Sequence, residues 1–209
     1  MDLSKTMKEY LDELSSNSPT PGGGNVSALC GSLASCLGTM VCNLTIGKKK
    51  YLEIEPEMID IKGKMENYKE HFLQLAAKDN EAFDNVMNAF KLPKESEEDK
   101  QLRTQKIDEA TFGAAEVPAE VIKTCHEVLP LIRIVAEKGN QNSLSDAGVA
   151  ALLISTAAQG AYLNVLINCN SLKNQTIAGE ILKSTEILCN DVKKLSDLIV
   201  ENIIKGLNS

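Results

Sequence analysis

Residues 56–90 read PEMIDIKGKMENYKEHFLQLAAKDNEAFDNVMNAF. Met58, Ile61, Met65, Tyr68, Phe72, Leu75, Asp79, Ala82, Val86 and Ala89 recur along this stretch at gaps of three and four. That spacing predicts one helix packed along a single face for its whole length. Pro56 suits the first turn of such a helix, and Pro93 marks its stop. One member of the stripe differs chemically from the rest. Asp79 puts a carboxylate where the neighbouring turns bury apolar side chains, and desolvation there favours the protonated form unless a partner offsets it. Two readings follow. A poised carboxyl can give and take a proton in catalysis. Alternatively, Asp79 is structural and satisfied by a hydroxyl, an amide or Lys78, although adjacent helical residues do not face each other.

Upstream, Leu3 to Leu14 carry Leu3, Met7, Leu11 and Leu14 at helical spacing. The breaker cluster SSNSPTPGGG at 15–24 follows, and then a helix to about Ile46 with Asn25 or Ser27 as its cap. No charged residue occurs from Ser15 to Gly47, and Ser27, Gly31 and Ser35 succeed one another at i+4, so a partner backbone can come close. Lys48 to Tyr51 form a basic turn.

Downstream, Lys94 to Lys100 make a charged connection in which Ser96 and Asp99 resemble a capping pair. A helical pattern from Leu102 to Val135 is predicted to kink or break near Pro118 and Pro130. After a Gly139 stop, a second charge-free run from Ala147 to Leu172 lies within a helix over 144–168, with Ser145 and Asp146 at its start. Ile177 to Ile203 supply a last amphipathic helix. No period-two alternation and no internal repeat is visible. The expectation is an all-α single domain over 1–209, a bundle of about six helices with no sheet, in which the two uncharged helices are buried on all sides, partly in an oligomer interface.

Composition narrows the function classes. A net charge of −7 with no basic tract beyond Lys48 to Lys50, no Trp and 4% aromatic residues argue against a nucleic-acid partner. Each charge-free run is long enough to span a bilayer, but Asn43, Gln159, Asn164 and Asn168 interrupt them, so no membrane role is expected. The six cysteines contain no CxxC pair, and the absence of a signal-like N-terminus reads them as small hydrophobes in a reducing cytoplasm. His71 and His126 lack helical i, i+4 His partners, so no metal site is expected.

The most distinctive string is PTPGGGN at 19–25: three glycines before a helix start expose backbone N–H groups and a positive dipole end to an anion or a polar heterocycle. A flexible hinge is the plainer reading, and neither nucleotide-loop fingerprint is matched. NQNSLSDAGVAA at 140–151 places Asp146 where a cap is the default explanation.

Taken in order, SPTPGGGN at 18–25, DNEAF at 79–83, KLPK at 91–94, AAEVP at 114–118, and NSLSDAGVAALL running into GAYLNVLIN at 160–168 resemble the formiminotransferase-cyclodeaminase C-terminal family in its stand-alone form. The resemblance implies an all-helical, commonly dimeric enzyme acting on one-carbon groups of tetrahydrofolate, with no further cofactor. It places the catalytic aspartate on Asp79 and implies that Gly22, Gly23, Gly24, Ser145 and Asp146 line the folate pocket. Asn25 stands where a serine is common in the family. The implied activity is cyclisation of 5-formiminotetrahydrofolate to 5,10-methenyltetrahydrofolate with loss of ammonia, the alternative being methenyltetrahydrofolate cyclohydrolase. A helical oligomerisation module is the non-enzymatic alternative. The basic turn Lys48 to Lys50 is either a solvated helix end or a contact for a folate glutamate tail.

Overall fold

The structure, a computed structural model, describes residues 5–208. Its elements are helices α1 (Met7–Leu14), α2 (Gly23–Thr45), α3 (Glu55–Phe90), α4 (Glu97–Lys138), α5 (Leu144–Cys169) and α6 (Gln175–Leu207), with short 3-10 turns at Lys49–Tyr51 and Gln141–Ser143. No strand occurs among the described residues, so the all-α expectation holds. Leu3 of the first helical pattern lies outside them.

The ends of the helices follow local chemistry. Thr6 with Glu9, and Ser96 with Asp99, form reciprocal capping boxes at the starts of α1 and α4. The Asn174 side chain accepts from the Thr176 and Ile177 N–H groups to start α6. Asn25 and Ser27, expected as caps, lie inside α2 instead: the helix starts one turn earlier at an N-cap glycine, Gly22, which has no side chain to offer.

α4 is the central helix, packed against α2, α3, α5 and α6. Of the expected kink or break, no break occurs: α4 is one continuous helix through Pro118 and Pro130. A proline inside a helix leaves the carbonyl four residues earlier without its N–H donor. For Pro118 that carbonyl belongs to Ala114, and the Asn168 side chain of α5 donates to it at 2.8 Å. Pro130 lies at the exposed surface, where water can serve the orphaned group.

α2 and α3 run antiparallel and meet in a strict register. A Cβ added at Gly24, Gly31 or Gly38 would strike Asp79, Phe72 or Met65 respectively, so the contacts recur every seven residues on both helices. Phe72 and Met65 are fully buried, and the small residues of α2 act as sockets for them. Buried Asn25 ties three helices together. It accepts from the Tyr10 hydroxyl at 2.9 Å and donates to the Ala76 carbonyl at 2.7 Å.

The charge-free helices are not buried on all sides. Leu33, Met40 and Leu44 of α2 and Val149, Leu152, Leu163 and Ile167 of α5 are exposed, because a bundle of this size has too few helices to surround both. Both helices have the length and apolar composition to cross a membrane, and both pack here within the bundle. All six cysteines are unpaired; Cys42, Cys125, Cys169 and Cys189 are buried, whereas Cys36 is exposed and Cys30 half-buried.

Two glycines test the register with opposite signs. Gly63 of α3 has nothing within reach of an added Cβ, so Gly63→Ala is expected to stabilise by about 0.5–1 kcal/mol through backbone entropy. Gly31→Ala, the same substitution facing Phe72, is expected to destabilise by about 1–3 kcal/mol. Chemical denaturation of the two variants beside the parent chain reads both effects. By the same measurement, Asn168→Ala is expected to cost about 1–3 kcal/mol, because it strands the Ala114 carbonyl.

Candidate functional site

The face of α3 that is buried from Met58 to Ala76 opens in its next turns, where Asp79, Ala82, Phe83 and Val86 are only half-buried. They form one wall of a cleft of about 340 Å3. The start of α2, Gly22 to Gly24, forms a second wall, with Pro19 and Thr20 on the approach. Asn164, Ile167 and Asn168 from the end of α5 and Ala114 of α4 complete it.

Asp79 sits against the first turn of α2. The first N–H groups of a helix have no intrahelical partner, and Gly22 supplies no cap. The Asp79 carboxylate takes that place from another helix: the Asn25 N–H donates to it. Its partner is therefore none of the groups that sequence suggests, neither a hydroxyl, nor an amide side chain, nor Lys78. Two effects on its acidity oppose each other. Burial raises its pKa above the ordinary 3.8, and the Asn25 N–H holds it back in part; burial wins and the net direction is upward. Gly24 is required by the same contact, since any Cβ there would occupy the space of the carboxylate.

The two amides of α5 lie one turn apart. Asn164 donates to the Gly160 carbonyl at 2.9 Å and Asn168 to that of Ala114 at 2.8 Å. Each Nδ2 makes one such bond and carries two hydrogens, so each amide keeps an N–H donor as well as its Oδ1 acceptor. A helix N-terminus, a half-buried carboxyl and two side-chain amides surround a partly apolar space, the composition of a site for a polar heterocycle. A larger groove of about 610 Å3 between α3, α4 and α6 is lined by Lys78, Glu116, Glu120 and Lys123 without any such convergence. Among the described residues no cluster of three or more His, Cys, Asp or Glu side chains is arranged to hold a metal.

Of the residues singled out by sequence, Gly22, Gly23, Gly24 and Asp79 come together. Ser145 and Asp146 do not join them within one chain. They occupy the first turn of α5, whereas the cleft takes the last turns of that helix, about 27 Å away at about 1.5 Å per residue. Lys48 to Lys50 are likewise remote, beyond the far end of α2 about 33 Å from Gly23. Asn25 is the position that pattern reading misassigned. Its signal was an amide inside an uncharged helix, which must find buried partners.

The chain matches the formiminotransferase-cyclodeaminase family over residues 6–186. It is 43% identical to methenyltetrahydrofolate cyclohydrolase of Methylorubrum extorquens, over 98% of each chain. Similarity to the formimidoyltransferase-cyclodeaminase of Rattus norvegicus is 27% over 96% of this chain, which spans 37% of that protein. The fold resembles the crystal structure of formiminotetrahydrofolate cyclodeaminase from Thermotoga maritima, with a TM-score of 0.82 and 34% identity, covering 96% of this chain and 98% of that one. The chain belongs to the formiminotransferase-cyclodeaminase family.

Proposed function

We propose that this chain is a folate one-carbon enzyme whose reaction is that of methenyltetrahydrofolate cyclohydrolase, the addition of water to 5,10-methenyltetrahydrofolate to give 10-formyltetrahydrofolate. The observation that carries this reading is the 43% identity with a cyclohydrolase over nearly the whole of both chains. It reverses the order in which sequence resemblance alone ranks the two activities. The half-buried carboxyl of Asp79 in the cleft supplies the chemistry.

The methenyl bridge is a cation, so the ionised form of Asp79 stabilises it before reaction. Water attacks the bridging carbon and gives one proton to the Asp79 carboxylate, leaving a neutral carbinol. The bond from that carbon to N5 then breaks as the formyl C=O forms. N5 takes the proton from Asp79, and the carbinol hydroxyl proton leaves to solvent. One carboxyl of raised pKa thus serves as base and then as acid. The backbone N–H groups of Gly23 and Gly24 and the side-chain amides of Asn164 and Asn168 orient the heterocycle. The steps as written ask for no cofactor beyond the substrate. A homodimer and a cytoplasmic setting belong to the same proposal, supported by the uncharged exposed face of α2 and α5 and by six unpaired thiols.

A second reading is cyclodeamination, favoured by the 34% identity to the Thermotoga maritima protein across nearly the full length of both chains. There N10 attacks the formimino carbon and ammonia leaves, through a tetrahedral carbon of the same kind. The two are separated by incubating the purified chain with each substrate and following the methenyl chromophore and ammonia. Loss of methenyl without ammonia release is expected. Methenyl formation from 5-formiminotetrahydrofolate with ammonia in its place would establish the second reading.

Asp79→Asn is expected to lower turnover about 100- to 10,000-fold, the usual range for a lost acid–base group. Its effect on stability has the opposite sign. With the folded pKa raised, the contribution of Asp79 to stability is fully present below the unfolded value near 3.8 and is lost as pH rises through the folded one. At pH 7 the variant is therefore expected to melt at or above the parent temperature, with the difference shrinking toward pH 4. Thermal unfolding at the two pH values checks this, and retained turnover in a folded Asp79→Asn chain would remove Asp79 from the mechanism.

A further inference from the structure

A side-chain amide has one acceptor oxygen and two N–H donors, and buried Asn25 engages all three. Its Oδ1 accepts from the Tyr10 hydroxyl at 2.9 Å, and its Nδ2 donates to the Ala76 carbonyl at 2.7 Å and to Asn80 Oδ1 at 3.2 Å. A carbonyl can only accept, so Ala76 dictates that the NH2 end points to α3. The oxygen is thereby turned to Tyr10, whose hydroxyl must donate. Burial raises the Tyr10 pKa above the ordinary 10.0, and Cys30 acts in the same direction, so the phenol keeps the proton this contact needs.

The partners of Asn25 on α3 surround one residue. Ala76 and Asn80 lie one turn apart, and Asp79 belongs to the turn between them. The main-chain N–H of Asn25 meets the Asp79 carboxylate itself. The first intrahelical bond of α2 runs from the Val26 N–H to the Gly22 carbonyl at 3.0 Å, so the Asn25 N–H has no acceptor in its own helix and takes Asp79 instead. One residue of α2 therefore grips both the backbone of the turn that carries Asp79 and the carboxyl which that turn presents.

Tyr10 stands behind this grip. It is the one buried residue of α1, with Met7 and Leu11 half exposed beside it, and it does not line the cleft. Its ring is enough to seat α1 on the bundle. The hydroxyl does something further: without it the buried Asn25 oxygen loses its donor, and the amide is free to turn away from Ala76 and Asn80. We propose that Tyr10 is a positioning residue for Asp79, its hydroxyl orienting the Asn25 amide and the amide holding the 76–80 turn of α3 against the start of α2, so that the carboxyl is presented to the cleft in one fixed place.

The consequence for turnover rests on the proposed folate reading, and the consequence for geometry does not. In that reaction Asp79 takes a proton from water and returns it to N5, so a displaced carboxyl slows both transfers. Binding draws on Gly23, Gly24, Asn164 and Asn168, none of which touches Tyr10 or the Asn25 side chain. Loss of the Tyr10 hydroxyl therefore acts on kcat and leaves KM.

Tyr10→Phe keeps the ring and removes only that hydroxyl. It is expected to lower kcat about tenfold with KM within about twofold of the parent, the scale of a sub-ångström misplacement. Asn25→Ala breaks the same link, so adding Tyr10→Phe to it is expected to cost nothing more, the mark of two groups acting in series. Amide hydrogen exchange reads the geometry without substrate: in Tyr10→Phe, residues 24–26 and 77–80 are expected to exchange about tenfold faster, and those around Met65 at the parent rate. Ile199→Val, in the α6 core away from the cleft, serves as the stability control and is expected to keep the parent kcat. Unchanged kcat or unchanged exchange in Tyr10→Phe overturns the proposal, as does a further loss in the double variant or an equal kcat loss in Ile199→Val. A parent chain that turns over neither 5,10-methenyltetrahydrofolate nor 5-formiminotetrahydrofolate overturns the proposed function, and exchange then decides the positioning by itself.

Discussion

The structure depends on the register in which α3 lies on α2. Gly24, Gly31 and Gly38 each receive one side chain of α3, and the series Asp79, Phe72, Met65 matches them at the same interval of seven. Two of the three contacts are ordinary core packing, with the apolar side chain fully buried. The third continues the pattern past the core, to the point where α2 begins and the bundle opens. A carboxylate is held there by the same geometry that holds Phe72 and Met65, so its position is inherited from packing and is not left to a mobile loop.

That placement explains the electrostatics. A carboxyl at an uncapped helix start would normally be held low by the free N–H groups and the dipole. Here the Asn25 N–H does act in that direction, but the surrounding side chains remove enough solvent that burial prevails. The net result is a carboxyl whose pKa lies above the ordinary value, raised by burial and partly held back by the Asn25 N–H. Asn25 serves this arrangement through both its backbone and its side chain, because its links to Tyr10 and Ala76 hold α1, α2 and α3 together one turn from the carboxylate.

The opposite wall owes its polarity to a proline. Pro118 deprives Ala114 of its helical donor, Asn168 makes up the loss, and Ala114 and Asn168 then face the cleft together. This bond joins α4 to α5 at the cleft wall. Cyclohydrolase and cyclodeaminase chemistry each pass through a tetrahedral carbon between two nitrogens and need a proton moved on either side of it. A carboxyl in a cleft that two side-chain amides also line suits both, which is consistent with relatives of both names among the similar proteins.

The all-helical class, the extents of α3 and α5, the Ser96 and Asp99 capping pair and the candidacy of Asp79 were all legible in the sequence. Each depends on spacing of three and four or on a local cap, and such information is contained within one or two turns of chain. The uninterrupted α4, the role of Asn25 and the partner of Asp79 were not legible. In each case the deciding atom comes from a helix distant in sequence: Asn168 for Ala114, Tyr10 for Asn25, and the Asn25 N–H for Asp79. The separation of Ser145 and Asp146 from the glycine loop has the same origin. A local pattern can place a residue at a helix start, but only the packing of α5 against α2 decides which end of the bundle that start occupies.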